Sequence, residues 1–278
     1  MPGGLRMSRT PPPPQSSRAG LSPGARTALI VALVLGGVVT VVGLILIGSV
    51  LRGASLGGSY TDRASVDAGS QVLATVPNAS VTLSPSTDGQ VYVDARGTYL
   101  GKAPKLRVST SGDVTTISGG CPTQWFGFCS VDLAIRLPAD VPVTVLAQNG
   151  RLSTTGLTGS LDLATTNGRI QTDGSRGDLD LRTTNGGIDV RGSSSGRVSA
   201  ATTNGSVELD FIDPPSDVDA RSTNGRVVVR VPDDGEPYRV DARTTNGGVD
   251  SASVPTDPSA RRSITAVTTN GTVAVETR

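Results

Sequence analysis

The chain of 278 residues contains no histidine. That removes Ser-His-Asp and Cys-His catalysis and the commonest metal ligand together. Aromatic residues make up only 3% while glycine is abundant, which suits many turns and short strands rather than a helical globule. Lysine occurs only at Lys102 and Lys105, the remaining basic residues being arginine, as GC-rich coding of an actinobacterial kind would give. The formal net charge is +1, and it is unevenly placed. Arg6, Arg9, Arg18 and Arg26 precede residue 28 and no acid does; removing these four from 25 basic residues leaves 21 against 24 acids, or −3 for the remainder. No basic face invites nucleic acid. No segment after residue 52 has a helical period, and no cofactor is expected.

The N-terminal stretch, residues 1–27, holds "TPPPPQSS" and scattered arginine, glycine and serine, which cannot bury a core and read as a disordered cytoplasmic tail. Residues 28–51, "ALIVALVLGGVVTVVGLILIGSVL", carry no charge. Twenty-four residues at ~1.5 Å each give roughly 36 Å, enough for a ~30 Å hydrocarbon layer. A cleaved signal peptide would have a shorter apolar run of ~7–15 residues ending in small residues. Here Arg52 comes directly after the run, and no cysteine stands near to carry a lipid. The expectation is one transmembrane helix over 28–51. The four arginines hold the N-terminus in the cytoplasm by the positive-inside rule, so the chain beyond Arg52 lies outside the cell membrane. Residues 52–69 read as a linker, and 70–278 as one extracytoplasmic domain.

Within that domain an Asn-Gly pair recurs: Asn149-Gly150, Asn167-Gly168, Asn185-Gly186, Asn204-Gly205, Asn224-Gly225, Asn246-Gly247 and Asn270-Gly271. Apolar residues stand six and four positions before each asparagine, as in Leu161/Leu163 and Val218/Ala220, and again three after, as in Ile170 and Val227. This is period two on both sides of a corner. Asparagine and glycine both tolerate positive φ, which gives the tight reversal a local cause. Hairpins in a meander would use it. So would a two-sheet, all-β solenoid of stacked strand–NG corner–strand units. Thr or Ser two before asparagine, in six of seven copies, favours the solenoid, because identical residues then stack into ladders. In that architecture Thr166 and Thr184 lie one strand apart. With the last strand ending at Arg278, its edge is expected to be bare.

Cys121 and Cys129 bracket "PTQWFGF" and read as a disulfide-closed turn outside the membrane. Trp125, Phe126 and Phe128 between them form either a plug over the first coils or an exposed partner patch. Asp178, Asp180, Asp189 and Asp210 are the carboxylates a glycosidase would need in pairs, but they alternate with apolar residues and so face solvent. "NAS" at 78, "NGS" at 204 and "NGT" at 270 match the glycosylation pattern without a reason to carry glycan in a bacterium.

The apolar anchor, the "CP…C" pair, "LPADVPVTVLAQNGRL" and the iterated "TTNGxI" together resemble a family of bacterial β-strand-repeat proteins named as candidate adhesins. It is a toast-rack group of unknown function. The resemblance covers roughly 70–278. It implies a non-catalytic envelope module, adhesin-like or linked to envelope stress, whose partner is an envelope protein or glycan. It carries no catalytic residues. The rival expectations are an enzyme acting on cell-wall glycan and a scaffold that self-associates end to end.

Overall fold

The computed structural model describes residues 32–45, 57–122 and 127–278, in two compact units divided between Ser55 and Leu56. In the first unit, residues 32–45 are helical. The Thr40 hydroxyl donates back to the Gly36 carbonyl at 2.7 Å. Among the described residues no helix is long and apolar enough to cross a membrane. The tail of 1–27 and both ends of the 28–51 run lie outside the described residues.

The second unit is all β. Seven strands come first: β1 (Gly57–Asp67), β2 (Gln71–Thr75), β3 (Ser80–Ser86), β4 (Gln90–Leu100), β5 (Lys105–Ser111), β6 (Val114–Gly120) and β7 (Phe128–Pro138). Each Asn-Gly unit then contributes two. They are β8 (Val143–Leu146) and β9 (Leu152–Thr155), β10 (Leu161–Asn167) and β11 (Ile170–Asp173), β12 (Leu179–Asn185) and β13 (Ile188–Ser193), and β14 (Arg197–Asn204) and β15 (Val207–Phe211). The last three pairs are β16 (Asp217–Asn224) and β17 (Val227–Val231), β18 (Tyr238–Asn246) and β19 (Val249–Asp250), and β20 (Arg262–Asn270) and β21 (Val273–Thr277). Among the described residues they form two sheets of 11 and 10 strands.

Strands before the corners fill one sheet and strands after them fill the other, every repeat strand pairing in parallel with its counterparts. Thr165 faces Thr183, and Asn167 faces Asn185, across β10 and β12. This is a stack of coils, not a meander, which would interpose a strand. The period-two pattern sets the core: Leu161, Leu163, Ile170, Leu179, Leu181 and Ile188 are each at most 2% exposed. A single coil cannot bury these faces; two neighbours can.

Three expectations change. Residues 57–67, read as linker, form β1, which pairs antiparallel with β4 along its whole length. Its glycine- and charge-rich sequence hides a strand whose alternation is partly buried (Tyr60 and Val66 pack against the core). With β4, β5 and their antiparallel partners it closes the first end of the stack, while β2 and β3 already form a coil that pairs in parallel with β8 and β9. The second change is order. The Asn270 coil stacks directly on the Asn224 coil, and the Asn246 coil lies outside it. The β21 edge expected to be bare is covered by β19, which pairs Val249 with Val273. Burial explains the swap. Ile264, Ala266, Val273 and Val275 are at most 1% exposed inside the stack. Val240 and Ala242 of the outer coil are only half-buried, and Val249 is 46% exposed. The poorer apolar set takes the position with one neighbour, where exposure costs least.

Replacing Thr166 and Thr184 by cysteine tests the stack. Both are exposed and sit between paired register positions, so their Cα atoms lie about 5 Å apart, within disulfide range. The pair should close on mild oxidation with the strand signal in circular dichroism unchanged. Thiols left free would contradict the parallel register.

Candidate functional site: the amide corner

The corner that joins the two sheets is the most regular surface of the molecule. At each corner asparagine the side-chain amide donates to the asparagine of the neighbouring coil. Asn167 Nδ2 donates to Asn149 Oδ1 at 2.8 Å, Asn185 to Asn167 at 2.8 Å, Asn204 to Asn185 at 2.8 Å and Asn224 to Asn204 at 2.9 Å. Asn270 continues the column onto Asn224, and Asn246 onto Asn270, both at 2.8 Å. The backbone runs the other way. The N–H of Gly168 donates to the Asn185 carbonyl at 3.0 Å, and Gly150, Gly186, Gly205, Gly225 and Gly271 repeat the pattern. Two antiparallel columns of amide dipoles thus stand side by side along the corner, each offsetting the other's field.

The hydroxyl two before asparagine has a specific task. Thr183 donates to the Gly168 carbonyl at 3.0 Å, Thr202 to Gly186 at 2.9 Å, Ser222 to Gly205 at 2.8 Å, Thr268 to Gly225 at 2.9 Å and Thr244 to Gly271 at 2.9 Å. The ladder therefore runs from threonine to glycine carbonyl, not from threonine to threonine. Thr183, Thr202 and Ser222 are buried, whereas the threonine one before asparagine is exposed, as at Thr166 and Thr203.

The reason for glycine also differs from expectation. No described non-glycine residue has positive φ, so the asparagines do not supply the reversal. Of the corner glycines only Gly150, Gly186, Gly247 and Gly271 lie in the left-handed window. What all seven share is contact: a Cβ on any of them would overlap a backbone carbonyl of the adjoining coil, as Gly205 would overlap Gly186 O. Asparagine is required for its amide, and glycine for the room.

The first rung is one the repeat pattern missed. Asn149 Nδ2 donates to Asn78 Oδ1 at 2.6 Å, and Asn78 Nδ2 donates to the Cys121 carbonyl at 3.3 Å. Asn78 has no following glycine, but it stands between β2 and β3 as the others stand between their strands, and that was the available signal. Cys121 and Cys129 are bonded, with Cα atoms 5.7 Å apart. The disulfide-closed turn thus terminates the ladder. Phe128 does not plug the core; it is 57% exposed and borders an open cleft of ≈ 510 Å³ whose other walls include Asn78, Gln148 and Asn149. Trp125 and Phe126 lie outside the described residues. The three glycosylation-pattern asparagines, 78, 204 and 270, all spend their amides in the ladder.

The carboxylates on the sheets are held by arginine. Asp189 meets Arg191 at 2.5 Å, Asp178 meets Arg197 at 3.0 Å, Asp210 meets Arg278 at 3.7 Å, and Asp180 meets Arg182. Asp180 also faces Asp162 across neighbouring strands. Its burial raises the carboxyl above its ordinary range, Arg182 opposes this, and the charge of Asp162 adds to it. Among the described residues no cluster of three metal-ligating side chains occurs.

The profile of the toastrack DUF4097 family matches residues 108–276, more than half of the chain. Among solved structures, a candidate cell-adhesion protein from Clostridium sporogenes is 10% identical, with a TM-score of 0.36 over 80% of this chain and 100% of that one. A candidate lipid-binding protein from Parabacteroides distasonis is 10% identical, with a TM-score of 0.46 over 78% of this chain and 96% of its own. A candidate adhesin from Bacteroides fragilis is 12% identical, with a TM-score of 0.33 over 80% and 97%. No curated protein matches.

Two pairs of substitutions separate the roles of asparagine and glycine. Asn185→Ala removes a donor and an acceptor from the middle of the column and should cost about 1–2 kcal/mol, while Asn246→Ala at its end removes one bond and should cost about half that. Equal losses would contradict a continuous ladder. Gly205→Ala should cost about 1–3 kcal/mol through overlap, whereas Gly248→Ala, with nothing within 4 Å, should be near neutral. Thermal melts followed by circular dichroism read all four.

Proposed function

The chain belongs to the toastrack DUF4097 family, and from that premise we propose that it is a membrane-anchored, extracytoplasmic interaction module, non-catalytic and adhesin-like. The observation that carries this reading is the corner itself. Seven successive coils present exposed asparagine in register, most with an exposed threonine beside it, on a backbone too tightly bonded to rearrange. A rigid, flat, repetitive polar face suits an extended partner such as an envelope glycan or the surface of an envelope protein, because a repeating ligand can meet the same contacts at every coil. The cleft beside Phe128 adds an aromatic wall next to amide groups, the mixture that polar ligands with apolar faces use.

Two further features support the rest of the proposal. The carboxylates that an enzyme would need in an acid–base pair are engaged by arginines on open sheet faces, and histidine is absent from the whole sequence. The uncharged 28–51 run, with Leu33, Val34, Leu35, Val38 and Val39 exposed along residues 32–45 of its helix, is what lipid would cover, and four arginines precede it.

Protease added to intact, wall-free cells should digest epitopes near residue 200 and spare those near residue 10. The same cells, displaying the full chain, should bind envelope glycan or protein extracts without turning them over. Substituting exposed corner threonines on three adjacent coils, Thr184, Thr203 and Thr223, should lower that binding at least about tenfold through loss of repeated contacts. Digestion near residue 10 would overturn the topology. Reproducible cleavage of a glycan, or binding indifferent to the substitutions, would overturn the role.

A further inference from the structure

Seven corners of this protein are Asn-Gly pairs, the dipeptide in which the glycine nitrogen most easily attacks the preceding side-chain amide. The attack needs two freedoms. The glycine nitrogen must lose its proton and turn toward Cγ of asparagine, and the asparagine side chain must swing to meet it. Six of the seven corners deny both. The N–H of Gly150, Gly168, Gly186, Gly205, Gly225 and Gly271 is each donated to the asparagine carbonyl of the adjoining coil, at 2.9 to 3.2 Å. The six asparagines before them are held at both ends of the amide, Nδ2 donating to one neighbour and Oδ1 accepting from the other.

The seventh corner differs. The Asn246 coil is the last in the stack, with β20 on one side and no further repeat on the other. Among the described residues the Gly247 N–H has no acceptor. Asn246 donates to Asn270 Oδ1 at 2.8 Å, but no described residue donates to its own Oδ1. Both residues are exposed to water.

We propose that Asn246 is a selective deamidation site, the one corner of the solenoid that ages chemically while the other six are protected by stacking. Water deprotonates the Gly247 nitrogen as it attacks Cγ of Asn246. The N–Cγ bond forms, the Cγ–Nδ2 bond breaks, and the amide nitrogen takes up a proton and leaves as ammonia. Water then opens the resulting succinimide at either carbonyl, giving aspartate or isoaspartate, so the net change is one water consumed and one ammonia released. Neither product retains the Nδ2 donor, and both place a carboxylate against Asn270 Oδ1. The terminal rung is lost, and the outer coil, already the least buried, loosens.

The sequence supplies its own control. Residues 182–187 and 243–248 are both "RTTNGG", so Asn185 and Asn246 share their flanking residues and differ in stacking alone. The full chain is held at mildly alkaline pH, and the conversion of amide to acid is followed in the tryptic peptides 183–191 and 244–261. In the native chain Asn246 should convert at least about tenfold faster than Asn185, the factor expected from one hydrogen bond's worth of local opening. In concentrated urea the two rates should converge. Amide hydrogen exchange provides a second reading: Gly247 should exchange freely while Gly186 is protected. Equal native rates, equal protection, or an Asn246 that persists natively while converting in urea would each overturn the proposal.

Discussion

Everything else in the molecule depends on how closely one coil's corner approaches the next. At each corner glycine a backbone carbonyl of the adjoining coil occupies the space that a Cβ would need. That approach sets the strand spacing at which the asparagine amides reach each other and at which the buried hydroxyls reach the glycine carbonyls. It also keeps the two sheets in step, because strands on both sides of the corner inherit its register. A side chain at one corner would push apart four sets of bonds together. The repetition in the sequence therefore follows from stacking: each corner needs glycine because the backbone carbonyl of the adjoining coil fills the space of its Cβ.

The core beneath the corner is thin and built from small residues, Val, Leu, Ile and Ala. Each coil contributes a few apolar side chains, worth about 1.5–3 kcal/mol apiece for the larger ones when fully buried. Stability is then nearly a sum of coil–coil interfaces, and the two ends bear the exposure. The ends are managed differently. At the first end β1, β4 and β5 turn antiparallel, and Tyr60, Leu106 and Val108 pack against the core. At the other end Val254 folds in from the connection after β19 and is buried, while Tyr238 is buried with Arg262 stacked 5.4 Å from its ring centre and bonded to Asp234 at 2.7 Å. That ion pair holds the Asp234 carboxyl below its usual range, while burial pushes the Tyr238 phenol up.

How much of this was legible depends on which forces are local. The strands and corners were, because period-two burial and the asparagine spacing are written residue by residue: Leu179, Leu181 and Ile188 fall inside where the pattern puts them. The solenoid was legible from the repeated Thr183 and Thr202, since a hairpin turn has no use for a fixed hydroxyl two residues before its corner. The cause of the glycine was not, because steric contact with another coil leaves no mark in the glycine's own neighbourhood; tolerance of positive φ was the only local explanation on offer. β1 was missed for a similar reason. "GGSYTDRASVD" is mostly polar, with Tyr60 and Val66 its two larger apolar side chains, and pairing with β4 makes it a strand. Asn78 was missed because alignment on Asn-Gly excludes a rung that borrows its neighbour's glycine: at that level the close approach is between Gly150 and Ala79.

The exchange of the last two coils shows where sequence order and stacking order part. Stacking rewards apolar faces that are covered on both sides, and the Asn270 coil offers four such residues against the weaker set of the Asn246 coil. Reaching the inner position last requires the chain to step outward one coil and then return. The spacings of 22 and 24 between Asn224, Asn246 and Asn270, against 18 between Asn149, Asn167 and Asn185, supply that slack. The connection at 251–261 carries it, with the Pro255 carbonyl accepting from Tyr238 N–H and Asp257 N–H donating to the Tyr238 carbonyl, so that the detour itself lies along the open end of β18. The longer repeats are thus not looser copies of the shorter ones. They are what allows a parallel stack to put its best-covered coil inside and to lay a connecting segment over part of the edge that remains.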